Sequence, residues 1–156
     1  MQPRIEPFGT EIGPKFARHI IAASKAAAAS AVPAATLELV NIRASQINGC
    51  GGCLDMHTKE AARAGETTLR LSLVAAWRDT TVFTGAERAA LELTEQGTRL
   101  ADGGGVTDEA WAKAAEHYDD EALMALVSQI AVINAFNRMN VMTRQQGGGY
   151  EPGQHI

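Results

Sequence analysis

Cysteine is scarce in this 156-residue chain, which has only Cys50 and Cys53. A framework of several structural disulfides is thereby excluded. Two cysteines this close together fit a reduced, reactive pair in a cytoplasmic protein better than a structural staple. Aromatic residues make up 5% of the chain and the net charge is −4, so the composition does not point to nucleic-acid or anionic-membrane binding. No apolar run approaches the roughly 20 residues needed to span a bilayer. The amino-terminal stretch Met1-Gln2-Pro3-Arg4-Ile5-Glu6-Pro7 lacks the apolar core and cleavage site of a secretory signal. No convincing period-two alternation, the mark of strands, is found. Asp102-Gly103-Gly104-Gly105 lacks the Gly-Lys-Ser/Thr ending of a phosphate loop and reads as a flexible turn.

What is present is helix-forming. Hydrophobic residues are 46% and charged residues 21%, ordinary values for a globular chain long enough to bury one core. The expectation is an all-α single domain of about six or seven helices: an amino-terminal arm over 1–13, a helical domain over 14–146 and a flexible tail over 147–156. Pro14 to Ser30 is alanine-rich and reads as a packing helix. Pro33 suits the first turn of the next helix, which carries Leu37, Val40, Ile42, Ala44 and Ile47 with Glu38 near its start. Arg43 is expected to pair with Glu38 or with a neighbouring helix. Thr67 and Thr84 have capping chemistry, and Glu87 stands at the capping-box position after Thr84. One helix is expected to run from Thr68 through Trp77. Beyond Thr107, Trp111, Ala114 and Ala115 are expected to face inward. Asp119 and Asp120 open a last, long helix with Leu123, Leu126, Val127, Ile130, Ile133, Phe136 and Met139 in phase. Asn134 and Asn137 interrupt that stripe. A buried amide needs partners, so they are expected to brace the cysteine motif or a subunit contact.

Reactive groups concentrate between Glu38 and His57. Cys50 and Cys53 are separated by Gly51 and Gly52, and the sequence from Leu54 to Arg63 reads as an amphipathic helix ended by Gly65. Asn48, Gly49 and the two glycines look like its irregular approach. Cys53 then sits in the first turn, where free N–H groups and the helix dipole favour a thiolate. Cys53 and His57 are four apart and share a face, and Cys50 is close enough to close a disulfide with Cys53. A thiol near its ordinary pKa of about 8.5 is mostly protonated at neutral pH; a histidine can take that proton, and a carboxylate can orient the histidine. A second thiol can condense with a sulfenic acid on the first. Zinc is the rival reading, but a closed site wants four ligands and this stretch offers three candidates, with His19, His117 and His155 distant in sequence. Inert core thiols are the third reading. Taken singly, His57 is an ordinary surface histidine and Glu38 a solvated helix residue.

The spacing Glu38–x11–Cys50–x2–Cys53–x3–His57, with Arg43 to Gly49 before it and Ile133 to Arg138 later, resembles the alkylhydroperoxidase D-like branch of the carboxymuconolactone decarboxylase superfamily. The resemblance covers roughly residues 10–145. It implies the same all-α fold and a thiol-dependent peroxidase in which Cys53 attacks a hydroperoxide and Cys50 resolves it, with His57 and Glu38 as a proton relay. It also implies an external dithiol reductant, lipoyl-type dithiols among them, and a homo-oligomer, commonly a trimer or hexamer. No metal and no cofactor are expected. The best-known members carry a second histidine just before the second cysteine; here that position is Gly52, which favours general dithiol–disulfide chemistry as the alternative. Decarboxylase members lack the cysteine pair, and a zinc-binding redox sensor is a further alternative.

Overall fold

The computed structural model describes residues 2–154, and Met1, His155 and Ile156, which fall in the expected arm and tail, lie outside the described residues. Among the described residues the chain is all-helical. The helices are α1 (Ile12–Ala28), α2 (Ala34–Asn48), α3 (Gly51–Arg63), α4 (Thr68–Leu73), α5 (Gly85–Thr98), α6 (Leu100–Gly103), α7 (Asp108–Ala115) and α8 (Asp120–Thr143). Short 3-10 turns occupy Pro7–Gly9 and Val74–Asp79. The helix beyond six or seven is α6, a single turn.

Helix α2 organises the packing. Thr36, Leu37, Leu39, Val40, Asn41, Ile42, Ala44 and Ser45 are all buried, so the helix is covered on nearly every side rather than along one stripe. On one side Leu37 and Val40 join Leu93 of α5, Ala110 and Ala114 of α7, and Leu123, Leu126 and Ile130 of α8. On the other, Leu39 and Ile42 join Leu91 of α5, Ala61 of α3, and Val74, Trp77 and Phe83. Truncating a fully buried leucine such as Leu39 or Leu91 to alanine costs about 2–5 kcal/mol.

The helix ends follow local chemistry. Thr67, Thr84, Thr107 and Asp119 each cap a helix with their side chains, and Thr84 with Glu87 forms a reciprocal capping box. The expected single helix from Thr68 to Trp77 divides instead: Ala76 leaves helical geometry, at φ −113° and ψ 25°, and Val74 and Trp77 turn into the core while Leu69 stays 61% exposed. In α7 the inward pair is Ala110 and Ala114, four apart; Trp111 and Ala115 lie one position round the helix and are exposed. The 24 residues of α8 are long and apolar enough, by length and composition, to cross a membrane. Yet α8 is a core helix packed on α1 and α2, and Gln129, Asn134 and Asn137 lie buried along it.

Those amides meet α2. Gln129 Nε2 donates to Asn41 Oδ1 at 2.6 Å, and Asn137 Nδ2 donates to Ser45 Oγ at 3.0 Å. Asn48 Nδ2 donates to both Asn134 Oδ1 (3.0 Å) and Asn137 Oδ1 (2.9 Å). Asn41, Ser45 and Asn48 follow helical spacing, so a hydrogen-bonded seam runs up the α2–α8 contact and stops just before Cys50. Asn134 and Asn137 thus brace the motif within one chain.

The segment before α1 is not extended throughout. Pro7 is buried, Arg4 N–H donates to Thr143 O (2.9 Å), and Gln145 Nε2 donates to Ile5 O (2.9 Å). The first residues therefore pack on the end of α8.

Arg43 pairs with α5, not with Glu38. Its Nε and Nη2 lie 2.7 and 2.6 Å from Glu95 Oε1. Trp77 Nε1 donates to the same oxygen at 2.9 Å, and Arg78 holds the other. Burial pushes the Glu95 carboxyl up, but Arg78, Trp77 and Arg43 outweigh it and hold its pKa below the ordinary value of 4.5. Glu95→Gln should therefore lower unfolding stability by about 3 kcal/mol, seen as a lower urea midpoint at neutral pH. Because the folded value is depressed, Glu95 contributes fully above the unfolded value. The gap between wild type and variant should close as pH falls through the lowered folded value.

Candidate active site

The turn into the cysteine pair is set by Gly49. It caps α2 in left-handed geometry at φ +66°, a conformation glycine adopts without steric cost. Gly51 and Gly52 are already helical, so the irregular approach expected over Asn48 to Gly52 shrinks to Gly49 and Cys50. Cys50 is the N-cap of α3, and its Sγ accepts the Cys53 N–H at 3.3 Å. The two cysteines form a disulfide, with Cα atoms 5.4 Å apart. Both are buried, at 1% and 3% exposure, against Ala44 of α2 and Ile133 of α8.

The helix end therefore treats the sulfurs differently. Cys53 is in the first turn of α3, as its position in the sequence implies, but the helix N–H it was expected to profit from is its own and goes to Cys50. The donor at Cys53 comes from another helix: Asn140 Nδ2 of α8 lies 3.3 Å from its Sγ.

Glu38 and His57 are brought together across the α2–α3 contact. His57 Nδ1 is 2.8 Å from Glu38 Oε2, with 13% of the histidine side chain and 28% of the glutamate side chain exposed. A carboxylate only accepts, so this bond places a proton on Nδ1 and leaves Nε2 to exchange one. Glu38, Cys53 and His57 line one groove of about 650 Å³, whereas Cys50 does not reach its wall. Ile21, Met56, Val132, Ile133 and Phe136 make much of the rest of the lining apolar.

Residues 145–154 form the other wall. The expected loose tail folds back along α3: Asp55 Oδ2 accepts the N–H groups of Gly148 (2.6 Å) and Tyr150 (2.9 Å), and Lys59 Nζ donates to Tyr150 O (2.7 Å). Tyr150 Oη donates to Glu60 Oε1 at 2.6 Å. A side chain on Gly147 would collide with the Gly51 carbonyl, so the close crossing requires glycine there. The Lys59 hydrogen bond, with the Tyr150 and Gly148 N–H groups, holds Asp55 down to about 2. The strap's anchor is therefore ionised throughout the neutral range.

Among the described residues no group of three or more His, Cys, Asp or Glu is placed to hold a metal. His19 lies on α1, and His117 sits beside Gly85 at the start of α5. Of the four residues the sequence points to, Cys53, His57 and Glu38 share the groove and Cys50 lies behind it; Asn140 and the strap of residues 145–154 stand outside the motif. Asn134, Asn137 and Asn140 stand three apart, and that repeat in an apolar helix was the available signal. Nothing local in the glycine-rich tail marks it as a wall.

Comparison with known proteins places the fold in a family. The model of the carboxymuconolactone decarboxylase family matches residues 14–96. The uncharacterized protein YdfG of Bacillus subtilis is 39% identical over 131 residues, covering 84% of this chain and 88% of YdfG. A crystal structure from Agrobacterium tumefaciens, of a protein of unknown function provisionally assigned as the antioxidant defence protein AhpD, superposes with a TM-score of 0.86 at 30% identity, covering 96% of this chain and all of that one. The debrominase Bmp8 shares the fold, with a TM-score of 0.77 at 20% identity over 87% of this chain and 73% of its own. The chain belongs to the carboxymuconolactone decarboxylase family, as an alkylhydroperoxidase D-like protein.

Proposed function

We propose that the protein is a thiol-dependent peroxidase acting on small organic hydroperoxides. The observation that carries this reading is the placement of Cys53 on the groove with the His57–Glu38 pair, while its disulfide partner Cys50 lies behind it. In the reduced protein the Cys53 thiolate attacks the distal peroxide oxygen. The O–O bond breaks, the alkoxide leaves and takes a proton as the alcohol, and Cys53 becomes a sulfenic acid. The Cys50 thiol then displaces hydroxide from that sulfur, water leaves, and the disulfide forms. An external dithiol returns the pair to the thiol form by exchange, itself becoming a disulfide. His57 Nε2 carries the protons in and out, and Glu38 fixes the ring. The Agrobacterium neighbour's assignment to antioxidant defence supports this reading, which sets the reaction in the reducing cytoplasm. Exposed Ile12, Phe16 and Met142 offer apolar surface for a homo-oligomer, as a trimer or hexamer.

A second reading, general dithiol–disulfide exchange, draws on Gly52, which lines the groove where the best-known relatives have a second histidine and so leaves a thinner proton relay.

One equivalent of an organic hydroperoxide added to the reduced protein should remove two thiols per chain and leave an intramolecular disulfide, visible by mass spectrometry. In Cys50→Ser the reaction should stop at a sulfenic acid, trapped by dimedone, and Cys53→Ser should consume no peroxide. Full consumption by Cys53→Ser would sink the assignment, and loss no faster than for a free model thiol would favour the exchange reading. His57→Gln should slow thiol oxidation about 100-fold, in the range for loss of a general base. Glu38→Gln, which keeps the ring but weakens its hold, should slow it less; both are read by stopped flow.

A further inference from the structure

A buried thiolate is costly unless something donates to it. Cys53 is 3% exposed, and the α3 N–H nearest the pair is committed to Cys50. The hydrogen bond that reaches the Cys53 sulfur comes from Asn140 Nδ2, at 3.3 Å. Asn140 is well anchored for that task. It lies one turn beyond Asn137, which is 0% exposed and held by Ser45 and Asn48. Its own carbonyl accepts the Gln145 N–H at 2.8 Å, where the chain leaves α8.

We propose that Asn140 is a catalytic residue, whose side-chain amide binds the charged Cys53 sulfur and holds it toward the groove. The inference rests on Cys53 being the attacking thiol and adds to that reading the group that stabilises it. The amide cannot take up or release a proton near neutral pH, so it stabilises charge without competing with His57 for the proton. Each sulfur of the pair then has one N–H donor of its own: the α3 backbone for Cys50, the α8 side chain for Cys53. Besides Cys53 itself, the charged or titratable groups lining the groove are Glu38, Asp55, His57 and Glu60 from α2 and α3, Lys25 from α1 and Tyr150 from the segment after α8; α8 contributes none. Substituting Asn140 leaves all of them in place.

The test is the pH dependence of Cys53 alkylation by iodoacetamide in reduced Cys50→Ser protein. A hydrogen bond to a charged group is strong enough that Asn140→Leu should raise the alkylation midpoint by about one pH unit, roughly tenfold less thiolate at neutral pH. Asn140→Asp, nearly isosteric, sets a carboxylate against the sulfur and should raise it further. In a Cys53→Ser background, Asn140→Leu should leave the Cys50 profile where it is, which general loosening of the fold would not. A Cys53 midpoint unmoved by both Asn140 variants, or an equal displacement of Cys50, would overturn the proposal. Alkylation involves no peroxide. A raised midpoint in Asn140→Leu, when the parent consumes hydroperoxide no faster than a free thiol, would therefore discard the peroxidase reading and leave Asn140 as the thiolate's donor.

Discussion

The register between α2 and α8 is fixed by amide hydrogen bonds, and everything at the cysteine pair depends on it. Apolar contacts between two helices tolerate small sliding motions. Asn41 with Gln129, Ser45 with Asn137, and Asn48 with both Asn134 and Asn137 do not, since a shift of one residue would leave buried polar groups unpaired. The seam ends at Asn48. Gly49 turns the chain there, and Cys50 caps the next helix against the end of the same seam. The distance from Asn140 to the Cys53 sulfur is thus set by interactions made one to three turns away.

The pair is asymmetric in its surroundings although its two members are the same residue. Cys50 is a cap, sealed behind the wall. Cys53 is buried but borders the groove, with His57 on its own helix face and α8 opposite. Glu38 reaches the histidine from α2, so three helices meet at one sulfur. The charged network that aligns α2 on α5, centred on Glu95, lies apart from these groups: Arg43 was free in sequence terms to serve Glu38, and the structure uses it elsewhere.

Much of this was legible in the sequence. Helix boundaries followed from threonine and aspartate caps, and the Cys50–Cys53–His57 phase followed from helical spacing alone. Glu38 was another matter. Nothing in a separation of nineteen residues says that its carboxylate meets His57; family resemblance carried that expectation. On α7, Ala114 faces inward as expected, but its inward partner is Ala110 four residues before it, while Trp111 and Ala115 are exposed. The segment from Thr68 reads as one helix because no breaker interrupts it before Trp77, but burial of Val74 and Trp77 goes with a bend at Ala76. The partners of Asn140 and Tyr150 are not legible for a shared reason: each acts on α3 across more than eighty residues of chain, and the asparagine repeat marks a polar face without saying what it meets.

The order in which the chain is made adds a temporal side to this arrangement. The thiols belong to the first third of the polypeptide, while Asn140 and the strap that walls the groove come near its end. At 5–20 residues per second, roughly 4 to 17 seconds separate synthesis of Cys53 from synthesis of its donor. A nascent or prematurely terminated chain therefore carries the dithiol without its shelter. The surroundings of Cys53 are complete only once residues 140–154 are in place.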